Sequence, residues 1–280
     1  MLTARVAVIA YCLVYCVATV LAEGKAWWWQ GDRKPIPPET RLRWINPCGV
    51  NNYKAPYKSI WEFPASQRRT GQEWKRLITV TRQSIVNARE SFETFRQRYV
   101  KETFQVDFFS HNKEWEKHDY NWLPNIPKKL GEPVPRKQLE RPIYFDLFVK
   151  LMTQWLQIVD VGLEQVLWDW NLETDQGNPK YKDAFKDMWH KNNLVLCDMW
   201  KYGKDLGLNI HDVNRSIMPN EFRDIQDETT RNIRDWIIFK SYMNLLEYMA
   251  DVLKYFLDKD YGLWFDPGYL SITSKMRPSG

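Results

Sequence analysis

The chain is poor in the residues that most functional classes depend on. It has four cysteines in 280 residues, and Cys12 and Cys16 fall within an apolar leader. Cys48 and Cys197 are what is left, which excludes a small disulfide scaffold with many bridges and little core. Histidine is equally scarce. His111, His118 and His211 fall in connecting segments, and only Asp187 with His190 offers half of a helical metal pattern. A di-iron bundle needs Glu-x-x-His from two helices and two further inward glutamates, so no metal and no cofactor is expected. The sequence contains no Gly-x-Ser-x-Gly, His-Glu-x-x-His or glycine-rich phosphate loop. Asp160, Glu164 and Asp169 stand at spacings that any helix produces, and the chain is expected not to be an enzyme. Apolar runs long enough to span a bilayer are missing after the leader, and the polar tail from Ser271 to Gly280 excludes a lipid-anchor signal. Charge of one sign is also missing: 40 basic against 35 acidic residues give +5. That balance predicts no nucleic-acid partner and only weak attraction to acidic glycans.

What is present begins with residues 1–22. Arg5 precedes an apolar run from Val6 to Leu21, and Val20 and Ala22 have the spacing a signal peptidase accepts. This reads as a secretory signal cut after Ala22, with an extracellular mature chain. In an oxidising compartment Cys48 and Cys197 are the only intrachain pair, and chain entropy gives such a bridge roughly 4–5 kcal/mol. Residues 23–70 hold Trp27, Trp28, Trp29, Trp44, Trp61 and six prolines, a density that forbids a helix and disfavours an internal strand. An extended Pro/Trp-rich arm laid partly on the rest is the expectation. The three consecutive tryptophans are either local packing or a contact for a partner or lipid. Arg68 and Arg69 form a dibasic pair that a processing protease could use.

Residues 71–265 read as helices. Trp74, Ile78, Thr81, Ile85, Ala88, Phe92, Phe95 and Tyr99 alternate four and three apart, predicting a helix from Gln72 to about Phe109. A long connection, Ser110 to Arg141, leads to Pro142 and a second helix ending near Leu172. A turn over Glu173 to Pro179 separates it from a third helix, Lys180 to Asp205. On that helix Cys197 lies away from the apolar arc, so Cys48 must approach from outside. A fourth helix is predicted from Pro219 to Asp258, with two apolar rows. Ile225, Thr229, Trp236, Phe239, Met243, Leu246, Ala250, Leu253 and Leu257 form one; Ile238, Tyr242, Leu245, Met249, Val252 and Phe256 form the other. Two rows on one helix require two or three neighbours. The fold class is therefore all-α, a four-helix bundle. The short second loop makes the middle helices antiparallel, and the long first loop allows up-up-down-down order, with simple up-and-down connectivity as the competitor. Tyr261 to Pro267 is an aromatic stretch expected to fold back on the helices, before a polar tail over 266–280.

Outside the apolar arcs, two strips qualify for recognition. On the fourth helix Ile237, Lys240, Asn244, Tyr248, Asp251 and Tyr255 mix aromatic and charged groups, which suits a receptor contact as well as a solvated face. On the first, Arg82, Arg89 and Arg96 recur every seven residues, either as flanking cations with wet heads or as a receptor or glycan contact. Asn214-Arg215-Ser216 is a sequon in a connection, so Asn214 is expected to carry a glycan and to keep its face clear of partners.

The leader, the four long helices, the two remaining cysteines, the long loop before Pro142 and the sequon at Asn214 together resemble the long-chain helical cytokines. That resemblance covers Gln72 to Asp258 and implies a secreted signalling ligand that binds a cell-surface receptor through exposed helix faces. A bundle rich in Trp, Phe and Met could instead carry a small apolar ligand between its helices.

Overall fold

The computed structural model describes residues 35–38, 40–49, 71–104, 120–139, 145–173 and 181–258. Among these it is all-α, with no strand. Four long helices dominate: α1 (Gly71–Phe104), α2 (Phe145–Glu173), α3 (Lys182–Asp205) and α4 (Glu228–Asp258). The leader 1–22, Trp27 to Trp29, the Arg68–Arg69 pair, His111, His118 and the tail after Asp258 lie outside the described residues.

The predicted seams are where the burial is. Trp74, Ile78, Thr81, Ile85, Ala88, Phe92, Phe95 and Tyr99 of α1 are all buried. On α4 both rows are buried from Trp236 to Phe256. The start of α4 differs from the expectation. The chain makes one separate turn at Asn220–Arg223, and α4 begins only at Glu228. Asp227 accounts for the boundary, since its Oδ2 accepts hydrogen bonds from Thr230 N and Oγ1, both at 2.7 Å. That satisfies an amide at the helix start, so the helix nucleates there rather than at Pro219. Ile225 accordingly precedes α4, and Thr229 is exposed.

Cross-helix contacts set the directions. Along α1 and α4, Arg82 reaches Ala250 O, the rings of Phe95 and Phe239 lie 5.3 Å apart, and Tyr99 donates to Asn232 O. Rising numbers meet falling ones, so the pair is antiparallel. The same holds for α1 with α3, from Trp74 against Tyr202 to Phe95 against Phe185. It holds for α2 with α3, from Phe145 against Tyr202 to Trp170 against Phe185. And it holds for α2 with α4, from Phe148 against Phe256 to Trp170 against Asp235. Hence α1 and α2 run parallel, their first turns meeting where Trp74 and Phe145 stand 5.6 Å apart. At Gly162 a Cβ would lie 3.0 Å from Ile238, so the glycine lets α2 and α4 close up.

Two helices that run the same way need a connection spanning their whole length. Residues 120–139 supply part of it as a strap across α4. Trp122 packs beside Gly162 and Ile238, and Lys128 reaches Asn244 and Glu247 further along the helix.

The segment 35–49 is held on the other side. Trp44 is fully buried, donating its ring N–H to Val213 O at 2.7 Å, while Gln157 donates to Trp44 O at 3.1 Å. A buried indole needs such a partner for its single donor. Arg215 ties the same region together, pairing with Glu164 at 2.7 Å and donating to Thr40 O. Cys48 and Cys197 form the disulfide, with Cα atoms 5.0 Å apart, and Cys48 does come from outside α3.

Among the buried polar residues, two clusters between the helices stand out, one around Arg234 and one around Asp160. Arg234 is wholly buried between Asp169 (2.7 Å) and Asp235 (2.6 Å), and it also donates to Phe222 O. Burial opposes its charge, yet Asp235 and Asp169 prevail and raise its pKa; Asp235 is itself raised, because burial outweighs Arg234. Asp160 is wholly buried as well, accepting from Asn192 Nδ2 at 2.7 Å through Oδ1, whereas Oδ2 has no hydrogen-bond partner. Burial pushes the Asp160 carboxyl up to about 7, against the opposing pull of Asn192 and the Trp189 ring.

Candidate interaction surface

The seven-residue spacing of Arg82, Arg89 and Arg96 places all three guanidinium groups along one edge of α1, since seven residues is nearly two helical turns. What they meet differs. Arg82 Nε donates to Ala250 O at 3.1 Å. Arg89 donates through Nε and Nη2 to Glu247 Oε1, at 2.9 and 2.8 Å, and through Nη1 to Glu93. Arg96 donates to the other oxygen of Glu93 at 3.0 Å. Two of the three arginines are therefore matched by carboxylates within the molecule.

Glu247 is the hub of this edge. Its Oε2 accepts from Lys128 Nζ at 2.6 Å and from Gly131 N at 2.8 Å, in addition to the two Arg89 bonds on Oε1. Lys128 also donates to Asn244 Oδ1, and Asn244 returns a bond from Nδ2 to Lys128 O at 2.7 Å. The Lys128 side chain is 1% exposed. Burial works against the Glu247 charge, but Lys128, the Gly131 amide and Arg89 together hold its carboxyl below the usual range. Charge-assisted bonds of this kind are about twice as strong as neutral ones. One carboxylate thus latches the strap to both α1 and α4.

Beside the latch lies a cleft of about 400 Å³ between α1, α4 and the strap. Val86 and Leu246 form part of its lining, with Arg82, Glu90, Glu132 and Asp251 as charged groups around them. Arg82 has no ion-pair partner among the described residues, so its terminal nitrogens are available to a ligand. Among the described residues that line the cleft there is no histidine, cysteine or serine. Its described lining sets side chains of both charge signs around an apolar floor.

The strip predicted on α4 is divided by the structure. Ile237 is corrected: it is 1% exposed and belongs to the core, because α4 touches α1 and α2 and is crossed by the strap, leaving little free circumference. Asn244 lies beneath the strap, joined to Lys128. Tyr248 is half-buried against Trp155, with ring centroids 6.0 Å apart. Lys240 and Tyr255 are half-exposed, and Asp251 lines the cleft. Asn214 is exposed, its Oδ1 accepting from Ser216 N at 2.9 Å. Asp187 pairs with Lys191 at 2.8 Å, and among the described residues no group of three or more His, Cys, Asp or Glu is placed to hold a metal. No helix of the described residues is long and apolar enough to cross a membrane.

Lys128 and Glu247 escaped the sequence reading. Glu247 does carry a signal, being a lone carboxylate between Leu246 and Tyr248 next to both apolar rows. Lys128 carries none, since nothing local tells which helix a loop lysine will cross.

Comparison of the chain with protein-family models, with curated proteins and with solved structures found no match to any of them.

Proposed function

We propose that this chain is a secreted signalling ligand of helical-cytokine type. In this reading it is an up-up-down-down four-helix bundle with an extended N-terminal arm, and it binds a cell-surface receptor at the α1–α4 edge. The observation that carries the reading is the order of the helices. α1 and α2 run parallel, each packed against antiparallel α3 and α4, with a long strap making the return. That order needs overhand connections, which cytokines of this type also use. A second support is the cleft beside Glu247. Its charged rim, with Arg82 lacking a counter-ion among the described residues, favours a polar partner over the small apolar ligand of the carrier reading.

The test is capture of cell-surface proteins by the tagged chain, secreted from cells that process its leader, beside a native mass measurement. A transmembrane receptor is expected, and the native mass is expected to match the chain with its glycan alone. A retained lipid or other apolar molecule would favour the carrier and overturn the ligand reading. Reversing both rim charges, Arg82→Glu with Asp251→Lys, is expected to weaken cell binding at least tenfold while the melting temperature changes little, because neither side chain is paired with another described charge. Unaltered binding would remove this edge as the receptor site.

A further inference from the structure

Asp160, Asn192 and Tyr242 come from three different helices and meet in one layer of the bundle. Each is 0% exposed. Asp160 of α2 is joined to Asn192 of α3 at 2.7 Å. Tyr242 of α4 is brought to the same height by the contacts on either side of it. Ile238 meets Gly162 and Tyr248 meets Trp155, so in this antiparallel pair Tyr242, between them, falls level with Asp160. Its ring rests on Phe92 of α1, with centroids 6.0 Å apart, and Phe92 also carries the ammonium of Lys191, the residue before Asn192. Burial first, then the nearby charges of Asp160 and Asp187, push the Tyr242 hydroxyl well above its usual range.

In each of the three side chains one buried polar atom has no hydrogen-bond partner among the described residues: Asp160 Oδ2, Asn192 Oδ1 and the Tyr242 hydroxyl. The direction of the Asn192 amide is fixed. Its Nδ2 donates to two acceptors, Asp160 Oδ1 at 2.7 Å and Leu156 O at 3.4 Å, so Oδ1 faces away from both. Leaving a buried polar atom unpaired is costly, and three in one layer call for a shared partner. We infer that a single internal water molecule binds in this layer, donating to Asp160 Oδ2 and Asn192 Oδ1 and accepting from the Tyr242 hydroxyl. Two acceptors and one donor are the complement of what water offers, and three bonds is the usual number for a buried water. Water also suits the carboxyl in both of its states: burial favours the protonated form of Asp160, and water can turn to accept that proton's hydrogen bond. The layer lies inside the bundle, away from the α1–α4 cleft, and the inference does not rest on the ligand reading.

The test is a crystal structure of the secreted, disulfide-intact chain at a resolution that shows ordered water, beside thermal melts of Tyr242→Phe. A density peak within hydrogen-bonding distance of Asp160 Oδ2, Asn192 Oδ1 and the Tyr242 hydroxyl is expected. No peak there, or Oδ2 bonded directly by the Tyr242 or Trp189 side chain, would overturn the inference. The melts give a second reading that needs no crystal. A water-bound hydroxyl is a partnered one, so Tyr242→Phe should lower the melting temperature by roughly 2–4 °C, the shift that loss of one ordinary hydrogen bond gives in a chain of this size. An unchanged or raised melting temperature would also overturn the inference, because removing an unpartnered buried hydroxyl relieves a cost instead of adding one. Both readouts are taken without any receptor, so their failure is distinct from failure of the proposed function.

Discussion

Replacing Arg234 with methionine is expected to destabilise the protein by about 3–5 kcal/mol, the usual loss when a buried ion pair keeps its charge and loses its partner. Methionine fills most of the arginine's volume, so the loss is electrostatic in origin. It leaves the carboxyls of Asp169 and Asp235 buried, with Trp170 Nε1 still donating to Asp235 at 3.1 Å. Burial already raises the Asp235 carboxyl, and without the opposing Arg234 cation it takes up a proton more readily, which gives a second signature. The variant should recover part of its stability, relative to the parent, as pH falls and the Asp235 carboxyl takes up its proton. Replacing all three, Asp169→Asn, Arg234→Met and Asp235→Asn, should lose much less than the single change, because no unpaired charge is then left at that site. Denaturant melts at several pH values check both statements, and a single variant as stable as the parent at neutral pH would contradict them.

The second large effect has the opposite sign. Asp160→Asn is expected to stabilise the protein at pH 8. The folded-state carboxyl titrates at about 7, against 3.8 for the free side chain, so the folded protein binds this proton more tightly than the unfolded chain does. The stability linked to it is complete below pH ~4 and is lost as pH rises through about 7, and at 1.36 kcal/mol per pKa unit the whole change is on the order of 4 kcal/mol. Asparagine carries no charge to desolvate, and its amide can still accept from Asn192. The difference between variant and parent should therefore be near zero at pH 4 and grow toward pH 8. Subtracting the parent also removes groups that titrate elsewhere, including Glu247 and Glu93, whose carboxyls are held low by their cations. A variant less stable than the parent at pH 8 would show that the charged form of Asp160 is held by more than Asn192 and the Trp189 ring.

Periodicity carried the helices. The α1 seam from Trp74 to Tyr99 and both α4 rows from Trp236 onward are core, because burial against a neighbour is what spaces apolar residues three and four apart. Elimination among four cysteines paired Cys48 with Cys197. The recognition strip was read less well, for a physical reason. A helical wheel separates apolar from polar positions but does not say how many neighbours a helix has, and α4 has two helices and a strap, which is why Ile237 is core and Asn244 is covered. Local patterning is equally silent on Arg234: a cation inside an apolar helix reads as surface until Asp169, on another helix, is seen beside it. The start of α4 was legible in Asp227 and Thr230, a capping pair, but the apolar Ile225 before it masked the signal.

The parallel course of α1 and α2 is the claim on which the ligand reading stands, and two distances decide it. Spin labels at Arg76 and Lys101 mark the two ends of α1, ~38 Å apart at 1.5 Å per residue, and Lys150 marks the start of α2. With electron–electron double resonance on the folded, disulfide-intact chain, the 76–150 distance is expected to be the shorter by a wide margin, since Trp74 already touches Phe145. A 101–150 distance shorter than 76–150 would mean that α2 starts where α1 ends, as in a simple up-and-down bundle, and would contradict the account.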